Sequence, residues 1–146
     1  MDEVERKDLS KAEWKVMKIV WQLQKAMARE VYTIAGEQYE WAPATVKTIL
    51  KRLTEKGYVS ATPVGNGFVY RPIQSAGATL QAAADTLLTL ATEGTTGPLL
   101  MHMVEQTSLS EDDLNQLQRM IDAKKKSIRQ RGKKSTSHDA EGDTKR

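Results

Sequence analysis

At Gly57 the period of the chain changes. Before it, Val46, Ile49, Leu50 and Leu53 recur at helical spacing in a run that Pro43 can open and Gly57 can close. After it, residues 58–62 and 68–71 are β-rich runs joined by Val64-Gly65-Asn66-Gly67, which predicts a hairpin. Pro63 and Pro72 fit only at sheet edges or strand ends, so the hairpin is expected to be small and to stand alone.

Two more helices are predicted upstream. Ser10 with Glu13 three residues later makes a capping box, and Leu9 with Trp14 stands where a hydrophobic staple closes. Val16, Ile19, Val20 and Leu23 follow at i, i+3, i+4, i+7, and this helix should end near Gln24 or Lys25. A shorter helix over residues 28–38 is expected to bury Val31, Ile34 and Ala35. The third helix, residues 43–56, starts behind Ala42, a poor cap that forgoes about 1 kcal/mol. Helix, helix, helix, hairpin is the order of a winged helix-turn-helix, a frame that lays one helix in a DNA groove.

Beyond Ile73 the composition turns to Ala, Leu and Thr. Leu80, Ala83, Ala84, Leu87 and Ala91 keep a helical stripe until residues 93–97 break it. Pro98 is expected to start a further helix through Gln106. Leu109 and Ser110 repeat the staple and cap before a last helix carrying Leu114, Leu117 and Ile121. From Gly132 the chain offers nothing to bury, which predicts a disordered basic tail over residues 132–146. The reading is mostly α: a winged helix-turn-helix over residues 1–73, a helical region over residues 74–131, and the tail. Three such narrow stripes make little core alone, and a second copy is the simplest way to cover them. Leu80, Ala84, Leu87, Leu100, Met103, Leu114, Leu117 and Ile121 are the expected dimer contacts.

Charge sorts the chain the same way. Residues 1–72 hold 12 Lys/Arg against 9 Asp/Glu, residues 73–123 hold one against 7, and residues 124–146 hold 9 against 3. A basic front and tail suit nucleic acid; an acidic middle repels it. The absence of cysteine excludes disulfides, thiolate metal sites and a cysteine nucleophile. No apolar run reaches the ~18 residues that a membrane helix needs, and no basic-then-apolar leader is visible, so a cytoplasmic protein is expected. No phosphate loop, metal-ligand cluster or nucleophile motif points to catalysis, and no cofactor is expected.

With its apolar stripe turned inward, the third helix shows Pro43, Ala44, Thr45, Lys47, Thr48, Lys51 and Arg52 on its other side. Threonine can bond to phosphates or bases and offers a methyl to thymine, while Lys and Arg reach guanine or phosphate. A solvated cationic face is the plainer account of the same residues. The hairpin tip provides only backbone N–H groups and the amide of Asn66, with Gly67 beside it, so it either touches DNA or merely packs on the helices. Met101-His102-Met103 suggests soft-metal chemistry, but Met103 also fits a buried stripe with Leu99, Leu100 and Val104. Lys124, Lys125, Lys126, Arg129, Arg131, Lys133 and Lys134 either attract DNA without specificity or finish a helix favourably at its C-terminal dipole. A protein-contact module and a non-specific nucleic-acid binder are the alternatives to a specific DNA reader.

These motifs resemble the penicillinase-repressor and copper-transport-repressor family, BlaI/MecI/CopY. The resemblance runs from about Leu9 to Ile121. It rests on Leu9-Ser10-Lys11-Ala12-Glu13-Trp14 with Val16, Met17 and Trp21, on Trp41-Ala42-Pro43-Ala44-Thr45-Val46-Lys47-Thr48-Ile49-Leu50 with Arg52, Leu53, Lys56 and Gly57, and on Val69-Tyr70. Leu109-Ser110 followed by Asp112-Asp113-Leu114 is a weaker match. The resemblance implies a homodimeric repressor of a palindromic operator in double-stranded DNA, with base contacts from Thr45, Lys47, Thr48, Lys51 and Arg52. It also implies an inactivating protease that cuts near His102 and Met103, where the family favours Asn-Phe. Three features depart from the family: Ala42 replaces a capping Ser, the wing tip lacks a basic residue, and the Cys-x-Cys motif of the copper-responsive branch is missing.

Overall fold

The computed structural model describes residues 7–142, with side chains through residue 133. Among the described residues nine elements follow one another: α1 (Lys11–Leu23), β1 (Ala26–Met27), α2 (Ala28–Tyr39), α3 (Pro43–Glu55), β2 (Val59–Val64), β3 (Gly67–Pro72), α4 (Ala76–Leu90), α5 (Thr96–Gln106) and α6 (Glu111–Gly142). The chain divides into two compact units, Met1–Ala91 and Thr92–Arg146.

In the first unit α1 begins as its sequence predicts. Glu13 N donates to Ser10 Oγ at 3.2 Å and Ser10 N donates to Glu13 Oε1 at 2.9 Å, closing the capping box. Gln24 ends the helix in the left-handed conformation at φ 64°. No side chain caps α3 at Ala42, and Pro43 takes its first turn. The helix stops at Gly57, whose φ of 83° suits a residue without Cβ. There Tyr58 N donates to Leu53 O at 2.9 Å and Gly57 N to Thr54 O at 3.2 Å, the two bonds of a Schellman motif.

The core is built by α1, α2, α3 and the start of β2. Val16, Met17, Ile19 and Val20 meet Val31 and Ala35, then Val46, Ile49, Leu50 and Leu53, with Tyr58 and Val59 closing one side. Ile34 is only half-buried. Each stripe falls on one helix face because its residues repeat at three and four.

The hairpin does not stand alone, contrary to expectation. β1 pairs with β3 through Ala26↔Tyr70 and Met27↔Val69, giving an antiparallel sheet of order β1-β3-β2. Two residues have no period to read, so nothing in the sequence marks this strand; it forms because β3 presents a free edge. β2 and β3 pair from Val59↔Pro72 to Val64↔Gly67 across a two-residue loop that has Gly65 first, at φ 60°.

The first compact unit extends past residue 73 to Ala91 and so includes α4. Trp21 Nε1 donates to Gln74 O at 3.0 Å, Thr79 is buried, and Ser75 Oγ accepts from Ala78 N to cap α4. α6 continues as helix past Gly132 to Gly142, over part of the stretch whose composition suggests a tail. One glycine costs a helix only about 1 kcal/mol, and no proline follows it. Residues 143–146 of that predicted tail lie outside the described residues. Met103, Leu100 and Val104 are about half exposed in the single chain.

The same openness extends along the C-terminal helices. Leu80 and Leu87 on α4, Leu100 and Met103 on α5, and Leu114 and Ile121 on α6 all stand exposed, as does Ala84, while Leu117 is half-buried. α6 starts as expected, with Asp113 N donating to Ser110 Oγ at 3.0 Å.

Candidate DNA interface

The surface of α3 divides cleanly. Val46, Ile49, Leu50 and Leu53 are buried, while Pro43, Ala44, Thr45, Lys47, Thr48, Lys51 and Arg52 are exposed. All seven predicted residues therefore share the helix surface that the core leaves open. Three cations and two hydroxyls stand there with no acid before Glu55, so the face favours a polyanion.

Two of these side chains have local partners that limit what they can do. Thr48 Oγ1 donates to Ala44 O at 3.0 Å, which leaves its lone pairs and methyl to face outward. A hydroxyl so engaged can accept from an adenine or cytosine amino group, and its methyl can meet that of thymine. Lys47 Nζ lies 5.8 Å from the centre of the Tyr32 ring on α2. That contact holds the ammonium over the helix pair instead of letting it range freely.

The turn between α2 and α3 is held by aromatic packing. Glu40 takes a left-handed conformation at φ 58°, and Glu40 N donates to Gly36 O at 3.1 Å. Tyr39 and Trp41 pack with ring centres 5.1 Å apart, and Lys15 Nζ lies 4.9 Å and 5.7 Å from the two centres. α1 thereby fixes the approach angle of α3 through side chains that the helical period alone assigns to a solvent face.

The far end of α3 is fixed by an ion pair that sequence reasoning missed. Lys56 Nζ donates to Glu13 Oε1 at 2.7 Å and to Asp8 O at 3.0 Å. Glu13 is almost fully buried, and its Oε2 has no partner. Burial pushes the Glu13 carboxyl up, but the bonds from Lys56 and Ser10 outweigh it and hold the group below its ordinary value. Forty-three residues separate the two, so no local spacing could have announced the pair.

The wing tip matches its composition. Gly65 and Asn66 are exposed, Gly67 is half-buried beside Met27, and Arg71 is exposed near the base opposite Ser60. Val64 and Phe68 are also exposed near the tip, giving the wing an apolar side. His102 and Met103 are exposed in the middle of α5. Among the described residues no group of three or more His, Asp or Glu could hold a metal ion, and no helix is long and apolar enough to cross a membrane.

A short helix, a three-residue turn, an exposed basic helix and a hairpin define a winged-helix DNA-binding protein. The sequence profile described as penicillinase repressor matches residues 9–123. The chain belongs to that family and is a DNA-binding transcriptional repressor. It is 26% identical over 117 residues to the methicillin resistance regulatory protein MecI of Staphylococcus aureus, covering 80% of this chain and 95% of that protein. The penicillinase repressor of Bacillus licheniformis is 27% identical over 117 residues, covering 80% of this chain and 91% of its own. Among solved structures, the Bacillus licheniformis BlaI monomer in complex with the blaP half-operator is 32% identical, covers 49% of this chain and 88% of its own, and has a TM-score of 0.44.

Proposed function

We propose that the chain acts as a homodimer that reads a palindromic operator, with the exposed face of α3 from each copy in a major groove. The observation that carries this reading is the acid-free surface of Thr45, Lys47, Thr48, Lys51 and Arg52, held at its far end by Lys56 on the buried Glu13 and at its start by Lys15 over Trp41. Lys51 and Arg52 neutralise phosphates or bond to guanine, and Thr45 and Thr48 tune the choice of base. Two copies related by a two-fold axis reach half-sites about 34 Å apart, or a small multiple of that. Asn66 and the N–H of Gly67 make the wing's contribution, which is weak for want of a cation at the tip.

The segment from Leu80 to Ile121 supplies the dimer contacts in this reading. Leu80, Ala84, Leu87, Leu100, Met103, Leu114, Leu117 and Ile121 would expose an apolar surface at a cost of ~25 cal/mol per Å² if they stayed uncovered. A second copy covers the same patches with the same patches. The regulated genes belong to copper homeostasis or β-lactam resistance, and the names of two relatives, a methicillin resistance regulator and a penicillinase repressor, support the second. Release follows proteolysis at His102–Met103, on an exposed helix that has to open locally before a protease can cut it.

The test is fluorescence anisotropy of the full chain against the duplex upstream of its own gene and a scrambled duplex, at several salt concentrations. A preference of about 10³-fold or more for the native duplex is the expected result. Equal binding to both would overturn operator reading, and dimerisation without any duplex affinity would make this fold a protein-contact module.

A further inference from the structure

The family match ends at residue 123, and a different surface begins immediately after it. Residues 124–133 hold Lys124, Lys125, Lys126, Arg129, Arg131 and Lys133 with no acid among them, and every one is exposed. At about 100° per residue, Arg129 and Lys126 lie roughly 90° and 150° from the middle of the stripe of Leu114, Leu117, Ile121 and Ile128, while Lys124 and Lys125 border that stripe on its two sides. Arg129 and Lys126 therefore stay open even when the apolar stripe is covered.

Cations gather at helix C-termini because the backbone dipole favours them, an effect that fades within the last turn. Here the helix runs on to Gly142, so Lys124–Lys126 lie several turns from its end and the dipole does not account for them. Lys125 and Arg129 also stand at i, i+4, a spacing at which like charges repel. Such an arrangement weakens the isolated helix and is relieved by a polyanion. Between residues 122 and 133 the only large apolar side chain is Ile128, so the segment lacks the apolar face that an anionic membrane would need beside the charge.

We propose that the basic stretch of α6 is a second nucleic-acid contact, which grips the phosphate backbone of duplex DNA without reading its sequence. This rests on the chain being a DNA-binding repressor and adds a surface outside the winged helix. It raises affinity for operator and non-operator duplex by the same factor, and so increases occupancy without changing the ratio between sites.

The test compares the full chain with a full-length variant carrying Lys124→Gln, Lys125→Gln, Lys126→Gln, Arg129→Gln and Arg131→Gln. Circular dichroism and sedimentation verify that the variant keeps its helix content and oligomeric state; Lys125→Gln with Arg129→Gln alone serves if it does not. Binding to the upstream duplex and to a scrambled duplex is measured between 50 and 200 mM salt. Each phosphate that the variant no longer neutralises reduces the slope of log K against log salt by ~0.9, equivalent to ~3.5-fold across that range. A slope lower by about one or more on both duplexes, with their affinity ratio kept, is the expected result. An unchanged slope overturns the proposal. Binding of the full chain to phosphatidylserine vesicles that the variant loses, with the DNA slope unchanged, overturns it in favour of a membrane surface. Loss of operator preference in the unaltered chain is a separate outcome, which counts against operator reading and leaves the slope comparison intact.

Discussion

Lys56 Nζ lies 2.7 Å from Glu13 Oε1, so the carboxylate that closes the capping box of α1 is also the counter-ion of the residue that caps α3. One buried group therefore joins the start of the first helix to the end of the recognition helix. Its second oxygen is unpartnered, which makes Lys56 its main compensation.

Removing only the cation should be costly. Lys56→Met leaves the carboxylate buried and is expected to lower stability by about 3 kcal/mol, read from urea denaturation. Glu13→Gln with Lys56→Met should be less destabilising than Lys56→Met alone, because the charge goes with its partner. A double variant that merely sums two single costs would refute the pairing.

The same carboxylate sets a pH dependence. Its folded pKa lies below the ordinary 4.5, so Glu13 contributes stability in full above that value. The contribution drains away as pH falls from about 4.5 through the lowered folded value. Chemical denaturation between pH 6 and pH 3 should show the wild type losing more stability than Glu13→Gln across this window. Parallel curves would contradict it.

Gly57→Ala places a Cβ at φ 83°, in the left-handed region that L-residues avoid. The expected cost is about 1–2 kcal/mol, seen as a lower Tm. Exposed residues of α3 are untouched, so DNA affinity measured well below Tm should survive.

On α3 the cations and hydroxyls should separate in their effects. Lys51→Ala or Arg52→Ala is expected to weaken binding to all duplexes and reduce the salt slope by ~0.9 each where the residue meets a phosphate. Thr45→Val or Thr48→Val should leave the slope alone and shift base preference by about 1–3 kcal/mol at the position touched. A selection from randomised duplexes reads the second effect; an unchanged preference in both threonine variants would remove them from the base-reading role.

Ile121→Asp tests the proposed dimer. Ile121 is about half exposed on α6, in a unit apart from the winged helix. Sedimentation velocity should show the variant as monomer at concentrations where the wild type is dimer, with its winged helix still folded by NMR. A variant that stays dimeric would mean that Ile121 is not at the contact.

The sequence alone determined what is local. The capping box at Ser10, the proline start and glycine stop of α3, and the hairpin around Gly65 are each written in a few adjacent residues, because caps and turns depend on neighbouring backbone groups. The exposed face of α3 was legible for the same reason: the period of Val46, Ile49, Leu50 and Leu53 leaves only one surface for Thr45, Lys47, Thr48, Lys51 and Arg52. Tertiary structure decided what joins distant residues. β1 exists because β3 offers it an edge; Glu13 meets Lys56, and Lys15 meets Tyr39 and Trp41, because α1 packs beside the turn and the end of α3. Composition leaves residues 132–142 with little to bury, yet an unbroken helical backbone there satisfies its own hydrogen bonds. Spacing along a chain records which residues share a face, and only packing decides what that face will meet.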